Sequence, residues 1–262
     1  MENNMRQIVA FLQARTDSSR LPQKVLKPLL GKPMILQEME RIQKSHLLDQ
    51  LVLLTSDEAS DNILSRVIES AGFMLFRGSK NDVLERFFQC ASFLGLDKSD
   101  LIVRLTGDCP VHDAGIIDEL IEAFLKESCN YMTNSIEPVY PDGLDVEIFT
   151  FEALEKACKY ATLDSEREHV TPYIRESGFF KVKNLQRPPI HPEWRLTVDE
   201  SADFLLIEKI YQHFGTVDFT FDDLVVYLEE NSALLEINGT ISRNEGYMKS
   251  LEEDSQKRNK VG

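Results

Sequence analysis

Nowhere in this chain does an apolar run approach the ~20 residues needed to span a bilayer, which argues against a helical membrane protein. The four cysteines, Cys90, Cys109, Cys129 and Cys158, form no CxxC pair. Buried free thiols in a reducing compartment are therefore expected rather than a disulfide scaffold or a zinc site. Basic side chains are outnumbered 29 to 44, for a formal net charge of −15. Such a surface repels nucleic acid and anionic lipid, so a small substrate is expected. Neither GxxxxGK[ST] nor GxGxxG occurs, which removes the two commonest nucleotide-loop fingerprints. No internal repeat is visible. Met1-Glu2-Asn3-Asn4 is polar and the apolar run after it is short, so no secretory signal is expected and the chain reads as cytoplasmic.

What is present is a regular alternation. Residues 7–13 predict a strand and 34–44 a helix with Met34, Ile35, Met39 and Ile42 on one face. Leu51-Val52-Leu53-Leu54-Thr55 has the continuous apolar character of a strand buried on both faces. Ser56-Asp57-Glu58 starts a helix continued by Ile63, Leu64, Val67 and Ile68. A strand at 73–76, a helix from Asn81 to about Leu94, a strand at 101–105 and a helix through Ile116, Ile117, Leu120, Ile121 and Phe124 follow. This pattern predicts a doubly wound, mostly parallel α/β sheet. The second half is less regular. Its expected strands lie at 145–150, near 179–185 and near 194–198, and its helices at 151–160, 166–177, about 201–213 and about 221–230. One domain over 1–243 is expected, with a nucleotide half to about 130 and an acceptor half after it. The tail from 244 to 262 is polar enough to be flexible.

Three sites carry chemistry. The first is the loop Gln13-Ala14-Arg15-Thr16-Asp17-Ser18-Ser19-Arg20-Leu21-Pro22-Gln23-Lys24, between the first strand and the first helix. In open α/β sheets, ligands bind at the carboxyl ends of strands. Arg15, Arg20 and Lys24 offer charge-assisted contacts to phosphate there, although a solvated basic loop has the same composition. The second is Thr106-Gly107-Asp108-Cys109-Pro110 and the third Arg195-Leu196-Thr197-Val198-Asp199, each a predicted strand ending on aspartate. Turn formation and helix capping are the competing explanations of these acids. Two strand-end aspartates with one cationic loop fit a Mg²⁺-nucleotide site, because Mg²⁺ commonly takes one or two carboxylates plus substrate phosphates.

The order Ala14-Arg15-x-x-Ser18-Ser19-Arg20-Leu21-Pro22-x-Lys24, Gly31-Lys32-Pro33, Arg77-Gly78-x-x-x-Asp82-Val83-Leu84, Thr106-Gly107-Asp108-x-Pro110 and Thr197-Val198-Asp199 resembles the cytidylyltransferase family. Within it, the chain is most similar to the spore coat polysaccharide biosynthesis protein F group. Asp142-Gly143-Leu144-Asp145-Val146-Glu147 and Arg167-Glu168-His169-Val170-Thr171-Pro172-Tyr173 share that resemblance, which covers roughly residues 6–213. Many relatives have glycine where this chain has Gln23.

The resemblance implies a three-layer fold of the nucleotide-diphospho-sugar transferase type with a smaller acceptor and dimerisation subregion. It implies that a sugar, sugar acid or sugar phosphate is activated with CTP, releasing pyrophosphate, for surface polysaccharide or glycan biosynthesis. By matched position, Arg15, Lys24, Asp108 and Asp199 are catalytic, with Mg²⁺ on Asp108 and Asp199. Ala14, Arg15, Ser19, Arg20, Lys24, Arg77, Gly78, Asp82, Thr106 and Gly107 would bind nucleotide. Arg104, Asp142, Asp145, Glu147, Arg167, His169 and Arg195 would serve the acceptor. Relatives are commonly dimers, so a homodimer is implied, with no nucleic-acid or membrane partner. Two rivals stand beside this reading: a glycosyltransferase using a ready-made nucleotide sugar, and a non-catalytic nucleotide-binding relative.

Overall fold

In the computed structural model the described residues are 6–241, 243, 247–248, 250–252 and 254–256. The first half runs β1 (Ile8–Gln13), β2 (Pro28–Leu29), β3 (Lys32–Pro33), α1 (Met34–Ile42), β4 (Gln50–Ser56) and α2 (Asn62–Ser70). It continues through β5 (Met74–Gly78), α3 (Val83–Phe93), β6 (Leu101–Thr106) and α4 (Ala114–Lys126). The second half adds β7 (Tyr131–Thr133), β8 (Glu147–Thr150), α5 (Phe151–Tyr160), α6 (Asp164–His169) and α7 (Pro172–Glu176). It ends with β9 (Val182–Asn184), α8 (Ser201–Phe214) and α9 (Phe221–Glu230).

One seven-stranded sheet has the order β5-β4-β1-β6-β8-β7-β9. All strands run in one sense except β8, which is antiparallel to both neighbours. The short pair β2–β3 stands apart. Alternation along β1 sends Ile8, Ala10 and Leu12 into one core, against α1, α2, α4, α8 and α9, and Val9 and Phe11 into the other, against α3, α5 and α7. A sheet covered on both faces explains why its central strands read as unbroken apolar runs. Chain order reverses where β1 sits between β4 and β6, so the loops after β1 and β6 diverge and leave a crevice. Among the described residues, no helix is long and apolar enough to cross a membrane.

Two expectations change, and one strand was not foreseen. Residues 194–198 do not join the sheet as a strand; they make a single bridge, Asp142 to Arg195. Leu196 N–H donates to Asp142 O at 2.6 Å and Val198 N–H to Asp108 O at 2.7 Å, so this extended segment ties two loops together. The helix expected over 166–177 is two helices, because Val170 takes φ +70° and Pro172 opens α7. The three-residue β7 was too short to leave a periodic signal. Within the tail, Tyr247 donates to Glu176 at 2.9 Å, Ser250 meets His169 at 3.0 Å and Asp254 accepts from Ser165 N–H at 3.3 Å. Residues 244–246, 249, 253 and 257–262 lie outside the described residues.

Gly143 shows what holds the 194–198 segment in place. Its φ is +105°, and a Cβ there would lie 2.6 Å from Leu196 C and 2.6 Å from Thr197 N. Backbone, unlike a side-chain tip, cannot step aside. Gly143→Ala is expected to cost at least about 1–3 kcal/mol from the backbone conformation alone, before the clash displaces Asp199. Chemical denaturation measures the loss, and an unchanged midpoint would show that the two segments pack less tightly than this.

Candidate active site

The loop after β1 is built on a buried acid. Thr16 donates through both its amide and its hydroxyl to Asp61 Oδ1, at 2.7 and 2.6 Å, and Ser56 donates to the other oxygen of the same carboxylate. Burial works against the Asp61 charge, but these donors hold its pKa below the usual carboxylate value. Sequence reasoning passed over Asp61, whose only signal was a place just before a helix. Beside it, Ala14 is buried and its N–H donates to Leu54 O at 3.0 Å. Gly107 makes this approach possible: a Cβ on it would lie 2.7 Å from Ala14 Cβ and 2.8 Å from Ile35 Cδ1.

Gln23 turns the loop back. It takes φ +56° and its N–H donates to Thr16 O at 2.9 Å, just before a 3-10 turn at Lys24–Leu26. A left-handed conformation costs a residue with a Cβ roughly 1–2 kcal/mol, which is why glycine is favoured at such a position. Gln23→Gly should stabilise the protein by about 0.5–1 kcal/mol, after allowing for the entropy that glycine loses on folding. Thermal unfolding tests it; a lowered Tm would mean that the Gln23 side chain has a stabilising role of its own.

The three sequence sites then meet at one atom. Lys24 Nζ lies 3.0 Å from Asp108 Oδ2, 2.9 Å from Asp199 Oδ1 and 2.7 Å from Val198 O. Burial alone would lower the Lys24 pKa, but the two carboxylates outweigh it and raise the group above its ordinary value. Burial likewise opposes the charge on Asp108, yet Lys24 and the neighbouring donors Thr106 and Cys109 hold that carboxyl well below its usual range. Arg20 pairs with Asp199 at 2.8 Å. Arg195 is buried and braces three acids: Asp203 at 3.0 Å, Asp142 at 3.0 Å and Asp199 at 3.2 Å. Arg20, Lys24, Asp108, Asp142, Asp199 and Arg195 thus form one network of alternating charge. Arg15 pairs instead with Asp17 at 3.4 Å, which also holds Lys80, and its side chain is 46% exposed, while Ser19 is exposed.

Other sequence candidates lie in separate clusters. Arg77 donates to Ser56 O, Asn62 Oδ1 and Glu58 O, at 2.8–2.9 Å, and so braces the turn between β4 and α2. Gly78 packs against the stem of Arg86, whose Cγ would be 3.0 Å from an added Cβ. Asp82 caps α3 through Glu85 N–H at 2.9 Å and pairs with Arg167 at 2.5 Å, which also holds Cys158 O at 2.6 Å. These two residues join α3 to α6.

Arg104 pairs with the buried Glu147, which also accepts from Tyr131 at 2.5 Å and Thr171 at 2.6 Å. His169 packs edge-on to Tyr247, its pKa lowered to about 4 by burial together with Arg104 and Arg175. Asp145 is closer to the central network. Burial raises its carboxyl to about 7 against the pull of its partner Arg243.

A strand-end crevice in a doubly wound sheet, with a cationic loop facing two aspartates, is where an open α/β sheet binds its ligand, and here the cationic side chains suit phosphate. The cytidylyltransferase family profile matches residues 9–215. An uncharacterised protein of Methanocaldococcus jannaschii is 37% identical over 237 residues, covering 89% of this chain and 95% of that protein. The spore coat polysaccharide biosynthesis protein SpsF of Bacillus subtilis is 33% identical over 241 residues, 87% of this chain and 96% of that protein. The structure of a cytidylyltransferase from Leptospira borgpetersenii superposes with a TM-score of 0.84 at 31% identity, covering 91% of this chain and all of that one. The chain belongs to the cytidylyltransferase family.

Proposed function

We propose that this protein is a Mg²⁺-dependent cytidylyltransferase that transfers CMP from CTP to a sugar-type acceptor for polysaccharide or glycan assembly. The observation that carries this reading is the placement of Lys24 Nζ between Asp108 and Asp199. Asp108 and Asp199, both paired with that one cation, are the carboxylates that would hold a metal here. Among the described residues, no group of three or more His, Cys, Asp or Glu side chains could hold a metal by itself. Mg²⁺ commonly takes one or two carboxylates and fills its remaining positions with water and substrate phosphate. Bound there, Mg²⁺ would neutralise phosphate charge as pyrophosphate departs.

The chain's own residues supply the rest. Lys24 serves as counter-ion to both aspartates in the free protein and is released toward phosphate when the nucleotide arrives. Arg15, exposed and paired with Asp17 in the free protein, meets the same charge from the open side. Arg20 and Arg195 hold Asp199 in position. An acceptor oxygen forms a bond to the α-phosphorus while the bond from that phosphorus to pyrophosphate breaks. Preorganised charge, in place before the reaction, is what lowers the barrier. The polysaccharide role of the Bacillus relative supports a sugar-type acceptor. Asp145, beside the network, is the group offered to it.

Pyrophosphate release from CTP and Mg²⁺ across a panel of sugars, sugar acids and sugar phosphates tests the reading. Thermal-shift screening of the four NTPs with Mg²⁺ tests the base, because a ligand that binds only the folded state raises Tm. CTP should give the largest shift. A purine preference, or CTP binding without turnover on any acceptor, would overturn the proposal.

A further inference from the structure

Directly beneath the Asp108 turn lies an acid–imidazole pair that the proposed chemistry does not use. Glu38, on the inner face of α1, and His112, in the loop after β6, are both completely buried. His112 Nδ1 is 3.0 Å from Glu38 Oε1, and its Nε2 is 3.4 Å from the carbonyl oxygen of Asp145. One imidazole therefore bridges α1 to the loop carrying Asp142 and Asp145. One turn further along α1, Arg41 donates to His112 O at 2.8 Å and to Val111 O at 3.4 Å. From α8, Tyr211 donates to Pro110 O at 2.5 Å. The whole turn from Asp108 to His112 is gripped from below.

The protons in this contact can be counted. A carbonyl oxygen only accepts, so Nε2 facing Asp145 must carry a hydrogen. Nδ1 faces a carboxyl, so a second hydrogen lies between it and Glu38. The pair is then neutral as a whole, either as carboxylic acid and imidazole or as carboxylate and imidazolium. Neutrality is what a site without water requires, since an isolated buried charge is far more costly. Burial and the nearby Asp108 push the Glu38 carboxyl up to about 7, against the pull of His112 and the Cys109 amide.

We propose that Glu38 and His112 are a buried positioning pair, clamping α1, the Asp108 turn and the Asp142–Asp145 loop together so that Asp108 faces Lys24 and Asp199. The functional consequence rests on the reading of Asp108 given above; the pairing itself does not. Glu38→Gln keeps an amide N–H that can donate to Nδ1, whereas Glu38→Leu keeps only the volume. Glu38→Gln should retain a slowly exchanging His112 Nε2–H resonance by NMR and bind Mg²⁺-CTP as tightly as the unaltered protein.

Glu38→Leu should lose that resonance and weaken Mg²⁺-CTP binding about tenfold, as changes behind a metal ligand commonly do. Its binding of CTP in EDTA, and its near-UV circular dichroism, should stay unchanged. Wild-type Mg²⁺-CTP affinity in Glu38→Leu would overturn the proposal. Equal losses with and without Mg²⁺, or loss in Glu38→Gln as large as in Glu38→Leu, would do so too. Should the unaltered protein bind no Mg²⁺-CTP, the functional reading fails instead. The His112 resonance then decides the pairing by itself, and its absence refutes it.

Discussion

Lys24→Met is expected to destabilise the metal-free protein by about 3 kcal/mol, the lower end of the cost of breaking a buried ion pair. The lower end applies because the Asp108 side chain remains 27% exposed and water screens part of its charge. Methionine keeps much of the side-chain volume, so the loss is electrostatic: Asp108 and Asp199 face one another without their shared cation. The pH dependence follows from the direction of the Asp108 shift. Its pKa in the folded protein lies below the unfolded value, so its contribution is present above about pH 4 and is lost as pH falls through the folded pKa. The gap in stability between the unaltered protein and the Lys24→Met variant should therefore narrow below about pH 4. Mg²⁺ alone should raise the Tm of the variant more than that of the unaltered protein, by taking the place that the ammonium vacates. Pyrophosphate release should fall at least tenfold, about 1.4 kcal/mol of transition-state stabilisation. Denaturation with and without Mg²⁺ measures both stability effects, and equal stability in both proteins would remove Lys24 from the centre of the site.

Asp108→Asn and Asp199→Asn should each lower pyrophosphate release by about 10²–10³, the scale of losing a preorganised charge at the reacting group. The two should differ in binding. Asp108 pairs with Lys24, whereas Asp199 is shared by Lys24, Arg20 and Arg195. Neutralising Asp199 releases positive charge from three side chains, so Asp199→Asn should bind CTP more tightly in EDTA while failing to turn it over. Asp108→Asn should show a smaller gain. Calorimetric titration with CTP, with and without Mg²⁺, separates binding from chemistry. Full turnover by both variants would exclude the metal-site reading.

These contacts explain why some side chains were easier to read than others. Lys24, Asp108 and Asp199 stood out because each ends a motif at the carboxyl end of an apolar segment. Arg77 and Asp82 stood in motifs just as plainly, yet local backbone and Arg167 use their hydrogen-bonding capacity. Motif order could not distinguish a cation aimed at a ligand from one bracing a turn. Asp61 and Glu38 were passed over for a related reason. Each lies in a helical segment or next to one, where acids are common, and only burial and a distant partner set them apart.

By itself, the sequence determined the alternation of strand and helix, the parallel core and the family, because these depend on periodicity and on residue order within short segments. The end of 194–198 as a tie between loops rather than a strand was decided only in three dimensions, by where its N–H groups found acceptors. The meeting of Lys24 with Asp108 and Asp199 was decided there too. Those residues are 84 and 175 positions from Lys24 in the chain. Charge interactions depend on distance in space, which the sheet sets by bringing the ends of β1 and β6 side by side.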